Sequence, residues 1–419
     1  MTLDLDWKPR FFAVWIGQAL SLMGSALTQF VLLWWITSTT GSATALATAG
    51  IMALLPQALL GPLGGTLADR WRRQTIMIVA DTVTALCMLV LIVLFATSQV
   101  QLWHVYTLMF IRSSMQAFQQ PAANASTSLL VPKDWLPRVA GLNQTLQGLM
   151  TIAAAPLGAL ALAFLPLQGA LMIDVLTAVL GITPLFFLRI PQLTRSHELG
   201  SVWTDFIVGV RYVAGQRGLL VLYAITGLVV LTVLPTFSLT PLLVKNWFKG
   251  GVNEVAFMEA LAGIGIILGG VVISIWPMFK RRIVTVMVSF AISCGTVALT
   301  ALMPGNGLLL AAFWWFISGA TFSTGNAPLM ALLQSVIPNA LQGRALSLLN
   351  TVMGLAGPVG LLIAGPLAEW IGVRGVFIVG GTLSSLVALA ALLSPTLLRI
   401  EEGPTPAQET KRAGTQRLG

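Results

Sequence analysis

The sequence predicts an all-α integral membrane protein of twelve transmembrane helices arranged as two six-helix bundles. Three observations predict it. Twelve apolar stretches, each about as long as the 20 residues that a hydrocarbon core of about 30 Å demands, fill residues 11–395. Of the 419 residues, 56% are hydrophobic and only 9% charged, far from the balance of a soluble domain. Parts of the two halves also repeat: Phe110-Ile111 returns as Phe316-Ile317, Pro132 as Pro338 and Arg138 as Arg344, each 206 positions on. Gly64-Gly65 has its counterpart in Gly269-Gly270. Two parallel repeats of six spans pack about an axis along the membrane normal and enclose a site near the midplane.

The first six spans are 11–36, 43–68, 75–97, 103–124, 140–165 and 168–189. The second six are 218–244, 254–277, 284–303, 307–330, 344–369 and 372–395. They read as helices because barrel strands need only about 9–11 residues of alternating polarity. The first span runs past Trp34 and Trp35 without a short apolar region and small-residue cleavage site, so it reads as a helix and not as a cleaved signal. Between the halves, Val202, Trp203, Phe206, Ile207 and Val210 recur at helical spacing, which predicts an amphipathic helix at the membrane interface. The expected organisation is therefore a bundle over 1–189, a linker over 190–217, a second bundle over 218–399 and a disordered tail over 400–419.

Orientation follows from the basic residues. With the amino end inside, 19 of the 23 Lys and Arg fall on the cytoplasmic side and only Lys245, Lys249 and Arg374 on the other, with Arg112 inside a span. Both termini are then cytoplasmic. The net charge of +9 reflects basic loops beside an anionic leaflet, so no nucleic-acid partner is needed to explain it.

Charged groups within spans are the natural place to look for mechanism. Arg112 lies about nine residues into the fourth span, close to the midplane. Asp174 and Glu259 enter the sixth and eighth spans from the outer side, and Asp81 lies near the cytoplasmic end of the third. Two readings stand for Asp174 and Glu259: proton carriers, since low dielectric favours a neutral carboxylate, or fixed pairs that lock helices together. For Asp81, beside the basic loop, structural pairing is the favoured reading. After the second span, Gly65, Asp69, Arg70 and Arg73 stand at a spacing that suits ion pairs between helices, which hold one conformation and release another; with Asp81 they form a candidate gate.

Gln18, Ser21, Ser25 and Gln29 share one face of the first span, and Arg112, Gln116 and Gln119 continue the polar theme in the fourth. Phe316, Ser323 and Asn326 in the tenth, and Met115 in the fourth, complete a candidate substrate cavity. An apolar cavity with a few hydrogen-bonding groups suits a sizeable amphipathic organic solute. No Cys/His cluster has ligand spacing, so no metal is expected, and Cys87 and Cys294 read as packing residues. No Gly-x-x-x-x-Gly-Lys-Ser/Thr loop is present to bind a nucleotide. No pairing of nucleophile and base suggests an enzyme, no cofactor is implied, and nothing requires more than a monomer.

These motifs resemble the major facilitator superfamily. The run Gly65 to Gln74 is similar to its signature between helices two and three, with Arg72 where glycine is usual and Gln74 where a basic residue is usual. Arg112 falls where the superfamily has a fourth-helix arginine implicated in proton coupling. Pro156-Leu157-Gly158 and Gly357-Pro358 resemble the antiporter signature loosely, with Ala155 replacing a glycine. Trp15-Ile16-Gly17-Gln18-Ala19, Phe110-Ile111-Arg112-Ser113, Leu130-Val131-Pro132, Ile173-Asp174-Val175-Leu176 and Gly343-Arg344 are similar to the macrolide-efflux branch. The resemblance implies a proton-driven antiporter in a bacterial cytoplasmic membrane that exports hydrophobic organic molecules, macrolides being the known example. Siderophore exporters of the same broad branch supply the alternative.

Overall fold

A backbone that crosses hydrocarbon must satisfy its own hydrogen bonds, and this chain does so with helices. The computed structural model describes residues 7–188, 202–276 and 279–402. The first half holds α1 Trp7–Thr40, α2 Ala43–Arg70, α3 Arg73–Ala96, α4 Leu102–Leu130, α5 Leu136–Phe164 and α6 Leu167–Phe187. A short α7, Val202–Ala214, leads to α8 Arg217–Asn246, α9 Val252–Ile275, α10 Arg282–Leu302 and α11 Leu308–Val336. The last long helix, α12 Asn339–Ala391, holds two spans hinged at Gly372, whose φ of 79° is a conformation that favours glycine.

Among the described residues, ten helices are long and apolar enough to cross a membrane by length and composition, α12 counting once. Arg112, Gln116, Gln119 and Gln120 dilute α4, which reaches the same length, so the predicted twelve spans are all accounted for. The expected amphipathic linker helix is α7. It packs on the start of α12 and buries Val213 among α8 and α10–α12 residues. The first part of the linker and the tail beyond Glu402 lie outside the described residues.

Helix pairing repeats between the halves. In the first, α2 packs on α4 and α1 on α6; in the second, α9 packs on α11 and α8 on α12. The likeness reaches single atoms: a Cβ on Gly64 would collide with the carbonyl of Ala117, and one on Gly269 with the carbonyl of Ala320. Both contacts bring helix backbones together as only glycine permits. Across the halves, α2 runs along α12 and α5 along α9.

The core shows how the halves are disposed. Toward the face that carries the start of α1 and the end of α12, the buried apolar residues form two separate clusters. One belongs to the first half, around Phe11, Met77, Ala122 and Leu185. The other belongs to the second, around Leu222, Met287, Leu333 and Leu349. Toward the opposite face a large cluster joins both halves, from Leu32, Met88 and Leu171 to Leu242, Met258 and Trp315, and a small one joins Ala155 and Ala159 to Ala256. The helices therefore meet on one side of the membrane and part on the other.

Candidate functional site

The space between the parted halves is a cavity of about 650 Å³. It is walled by α1–α5 from the first half and by α8 and α9 from the second. Leu33, Met109, Pro241 and Val255 form its floor, above the joined core. The wall is mostly the work of the first half; the second contributes Phe237, Ser238, Pro241, Val255 and Glu259.

Two hydrogen-bonded groups stiffen that first-half wall. Arg112, 8% exposed, donates from Nη2 to Asp174 Oδ2 at 2.9 Å. Asp174, 1% exposed, accepts from Ser25 Oγ on its other oxygen at 2.9 Å. The pair ties α1, α4 and α6 together, and Arg112 Nε has no partner among the described residues. In the second group, Gln18 donates from Nε2 to Asp81 Oδ2 at 3.0 Å and to the Gly181 carbonyl at 3.2 Å. Gln119 in turn donates to Gln18 Oε1 at 2.5 Å.

Of the residues singled out in the sequence, Ser21, Ser25, Gln29, Asp81, Arg112, Met115, Gln116, Gln119 and Glu259 line the cavity. Gln18 and Asp174 stand directly behind them and position them. Phe316, Ser323 and Asn326 do not reach the lining. The reason is the glycine-rich face of α9: Gly265 abuts the backbone of Phe316 and Gly270 lies against Ser323, so this stretch of α11 is turned into the α9 seam.

The loop motif is placed differently from expectation in two respects. Arg73 donates to the carbonyls of Ala68, at 3.2 Å, and Ala125, at 3.0 Å, binding α2, α3 and α4 at their ends. Asp69 and Arg70 close the last turn of α2, and their side chains lie outside the described residues. Gly65 faces open space, and it is Gly64 that meets α4. Asp81 does not join the basic loop; it sits two turns further along α3, where its hydrogen-bond partner is Gln18.

Sequence reasoning missed several members of the wall. Gln57, Gln120 and Gln147 add three carboxamides, and Phe30 and Phe237 add aromatic faces. Together with Gln29 and Gln116 they present five glutamine side chains without a protein hydrogen bond among the described residues. Gln57, a lone carboxamide in an apolar span, was the signal available. Glu259 is likewise without a hydrogen bond or ion pair among the described residues.

The floor is fastened at the opposite face. Lys245, at the end of α8, donates to the carbonyls of Thr37 and Ser38, both at 2.9 Å. Glu369 of α12 accepts from Ser42 Oγ at 2.7 Å and from the Thr44 amide at 3.2 Å. Two helices of the second half, α8 and α12, thus reach the α1–α2 turn of the first.

Comparison with known proteins agrees with this architecture. The family description "Major Facilitator Superfamily" matches residues 14–360 and again 248–418. The chain is 32% identical to Macrolide efflux protein A of Streptococcus pyogenes over 92% of its own length and 95% of that protein's. It is 30% identical to Macrolide efflux protein A of Enterococcus faecalis, over 77% of this chain and all of that one, 100%. A crystal structure of a variant of the nucleoside transporter NupG superimposes with a TM-score of 0.74 at 13% identity, covering 92% of this chain and 99% of that one, a likeness of fold alone.

Proposed function

We propose that this chain, which belongs to the Major Facilitator Superfamily, exports hydrophobic or amphipathic organic molecules in exchange for protons. It is a multi-pass membrane transporter of small molecules and not an enzyme. Macrolide-type antibiotics are the proposed substrates, a reading supported by the two relatives named for macrolide efflux. The observation that carries the proposal is the cavity between the halves, open between two cores on one side and floored by a shared core on the other. Such a body exchanges access by rocking one half against the other. We place the open side in the cytoplasm, on the excess of Lys and Arg there.

Glu259 is the proposed proton carrier. It faces the cavity from the second half, without a partner among the described residues, so a proton and a substrate both reach it. Asp174, covered and held by Arg112 and Ser25, is the positioning group of the two. One proton crossing a potential of 100 mV delivers about 2.3 kcal/mol, enough to change a two-state ratio roughly fifty-fold. A siderophore exporter finds less support, because an anionic ligand would meet the carboxylates of Asp81 and Glu259 here, and Arg112, the one lining cation among the described residues, is engaged by Asp174.

Everted vesicles test the reading. Macrolide uptake driven by an imposed proton gradient is expected in the native protein, with Glu259→Gln lowering it at least about tenfold. Uptake that persists after the gradient is collapsed would remove proton coupling.

A further inference from the structure

We infer that the first half carries a seat for the headgroup of an anionic phospholipid, where the start of α1 meets the turn into α5. Trp7 and Trp135 meet there edge to face, with ring centroids 5.0 Å apart. Lys8 Nζ lies 6.0 Å from the centre of the Trp7 ring and 5.5 Å from that of Trp135. The Arg138 guanidinium lies 4.6 Å from the Trp135 ring. Two helix starts thus bring two cations onto two rings. Arg10 and Lys133, both exposed, add two more cations to the same segments, against one carboxylate, Asp134.

A ring face holds a cation in place without neutralising it. None of the four cations has a carboxylate or hydrogen-bond partner among the described residues, and neither indole N–H has one. Elsewhere on this face cationic donors are used within the protein. Arg73 bonds to the carbonyls of Ala68 and Ala125, and Arg282 to the carbonyl of Ala331 at 3.4 Å and to Ser335 Oγ at 3.2 Å. Ala125 and Ala331 stand 206 positions apart, so those bonds belong to the repeat. The seat does not: the repeat carries Arg138 to Arg344 but Trp135 to Leu341. What the fold needs in both halves is thus met without it.

Its position suits a lipid. Trp7 and Trp135 rest on the buried cluster around Phe11, Val131 and Val139, at the ends of apolar spans. Tryptophan favours that boundary between hydrocarbon and water. The next residue, Leu136, is 36% exposed and offers an apolar surface to acyl chains. Deeper along the same two helices, Trp15 Nε1 donates to Asn143 Oδ1 at 2.8 Å and closes α1 on α5, so the seat has a firm base. A phosphodiester anion over these rings meets ammonium, guanidinium and indole donors at once, and it bridges two of the helices that wall the cavity.

The test is native mass spectrometry of the purified full-length protein in neutral detergent, titrated with phosphatidylglycerol or with phosphatidylcholine of the same chains. The first phosphatidylglycerol is expected to bind at least about tenfold more tightly than phosphatidylcholine, since each basic group at the surface adds to the attraction. Lys8→Ala with Arg138→Ala is expected to remove that advantage while leaving phosphatidylcholine unchanged, which also reports intact folding. Arg217→Ala with Arg399→Ala removes two exposed cations from the second half on the same face, and is expected to keep it. Lys8→Arg with Arg138→Lys is expected to keep it as well. Equal binding of the two lipids by the native protein overturns the inference, and needs no variant. Equal loss in the two alanine pairs also overturns it, because the attraction is then diffuse charge and not a seat. Displacement of the lipid by glycerol phosphate at equal concentration would make the occupant a soluble phosphate ester and overturn the lipid. No gradient and no drug enters these measurements, so they stand or fall apart from the exporter reading.

Discussion

The Arg112–Asp174 pair brings two charges into an interior where each alone is costly, and it persists because the geometry is short and the second carboxylate oxygen is also bonded. Removing one partner leaves the other stranded, at a cost of about 3–5 kcal/mol, whereas removing both is cheaper. Arg112→Ala and Asp174→Ala should therefore each lower the melting temperature in detergent more than the double variant does. Additive losses would show that the two are not coupled. The same residues show what a sequence can disclose. Ser21, Ser25 and Gln29, or Arg112, Gln116 and Gln119, announce a shared face because helical spacing alone sets it. The partner of Asp81 could not be read, since the register of α1 against α3 is a tertiary matter that places Gln18 opposite it. Phe316 and Ser323 misled for the same reason: the α9 glycines decide which face of α11 is hidden.

At the scale of elements, the closed face is held by charges matched to helix ends. The carbonyls that end α1 form the negative pole of its dipole and meet Lys245; the amides that begin α2 form a positive pole and meet Glu369. Such contacts at exposed helix ends contribute about 0.3–1 kcal/mol each, small enough to break in every cycle. Replacing Lys245 and Glu369 together by alanine should shift the balance toward opening of this face by about threefold to thirtyfold. A cysteine at Gln29, within the cavity, reports it through labelling by an impermeant maleimide applied to that face. The native thiols give little background, since Cys87 and Cys294 are buried. Labelling no faster than in the parent would show that the two contacts do not hold the floor shut. The spans themselves were legible from apolar length, and the hinge between the last two was legible as a break at 369–372, where Gly372 turns the chain. Neither end contact was legible, because Lys245 and Ser38 are 207 residues apart and nothing local ties them.

At the scale of the whole molecule, the repeat of 206 positions predicted related halves, and the paired contacts Gly64–Ala117 and Gly269–Ala320 show the same packing in each. What the repeat could not convey is that the halves lean together on one side, since that depends on seams between them and not within them. Those seams offer a direct test of rocking. Near the closed face, a Cβ on Gly365 of α12 would lie 2.9 Å from the Cβ of Ala47 of α2. A disulfide needs a Cβ separation of about 3.5–4.5 Å, so the seam has to relax by roughly 1 Å to admit one. Ala47→Cys with Gly365→Cys should oxidise readily and fix the closed face, stopping gradient-driven export while leaving the cavity open to ligand from the other side. Reductant should restore export, which separates the lock from any damage done by the substitutions. A cross-linked protein that still exports at the reduced rate would mean that α2 and α12 never part at this face, and the substrate would need a route other than one opened by the rocking of the two halves.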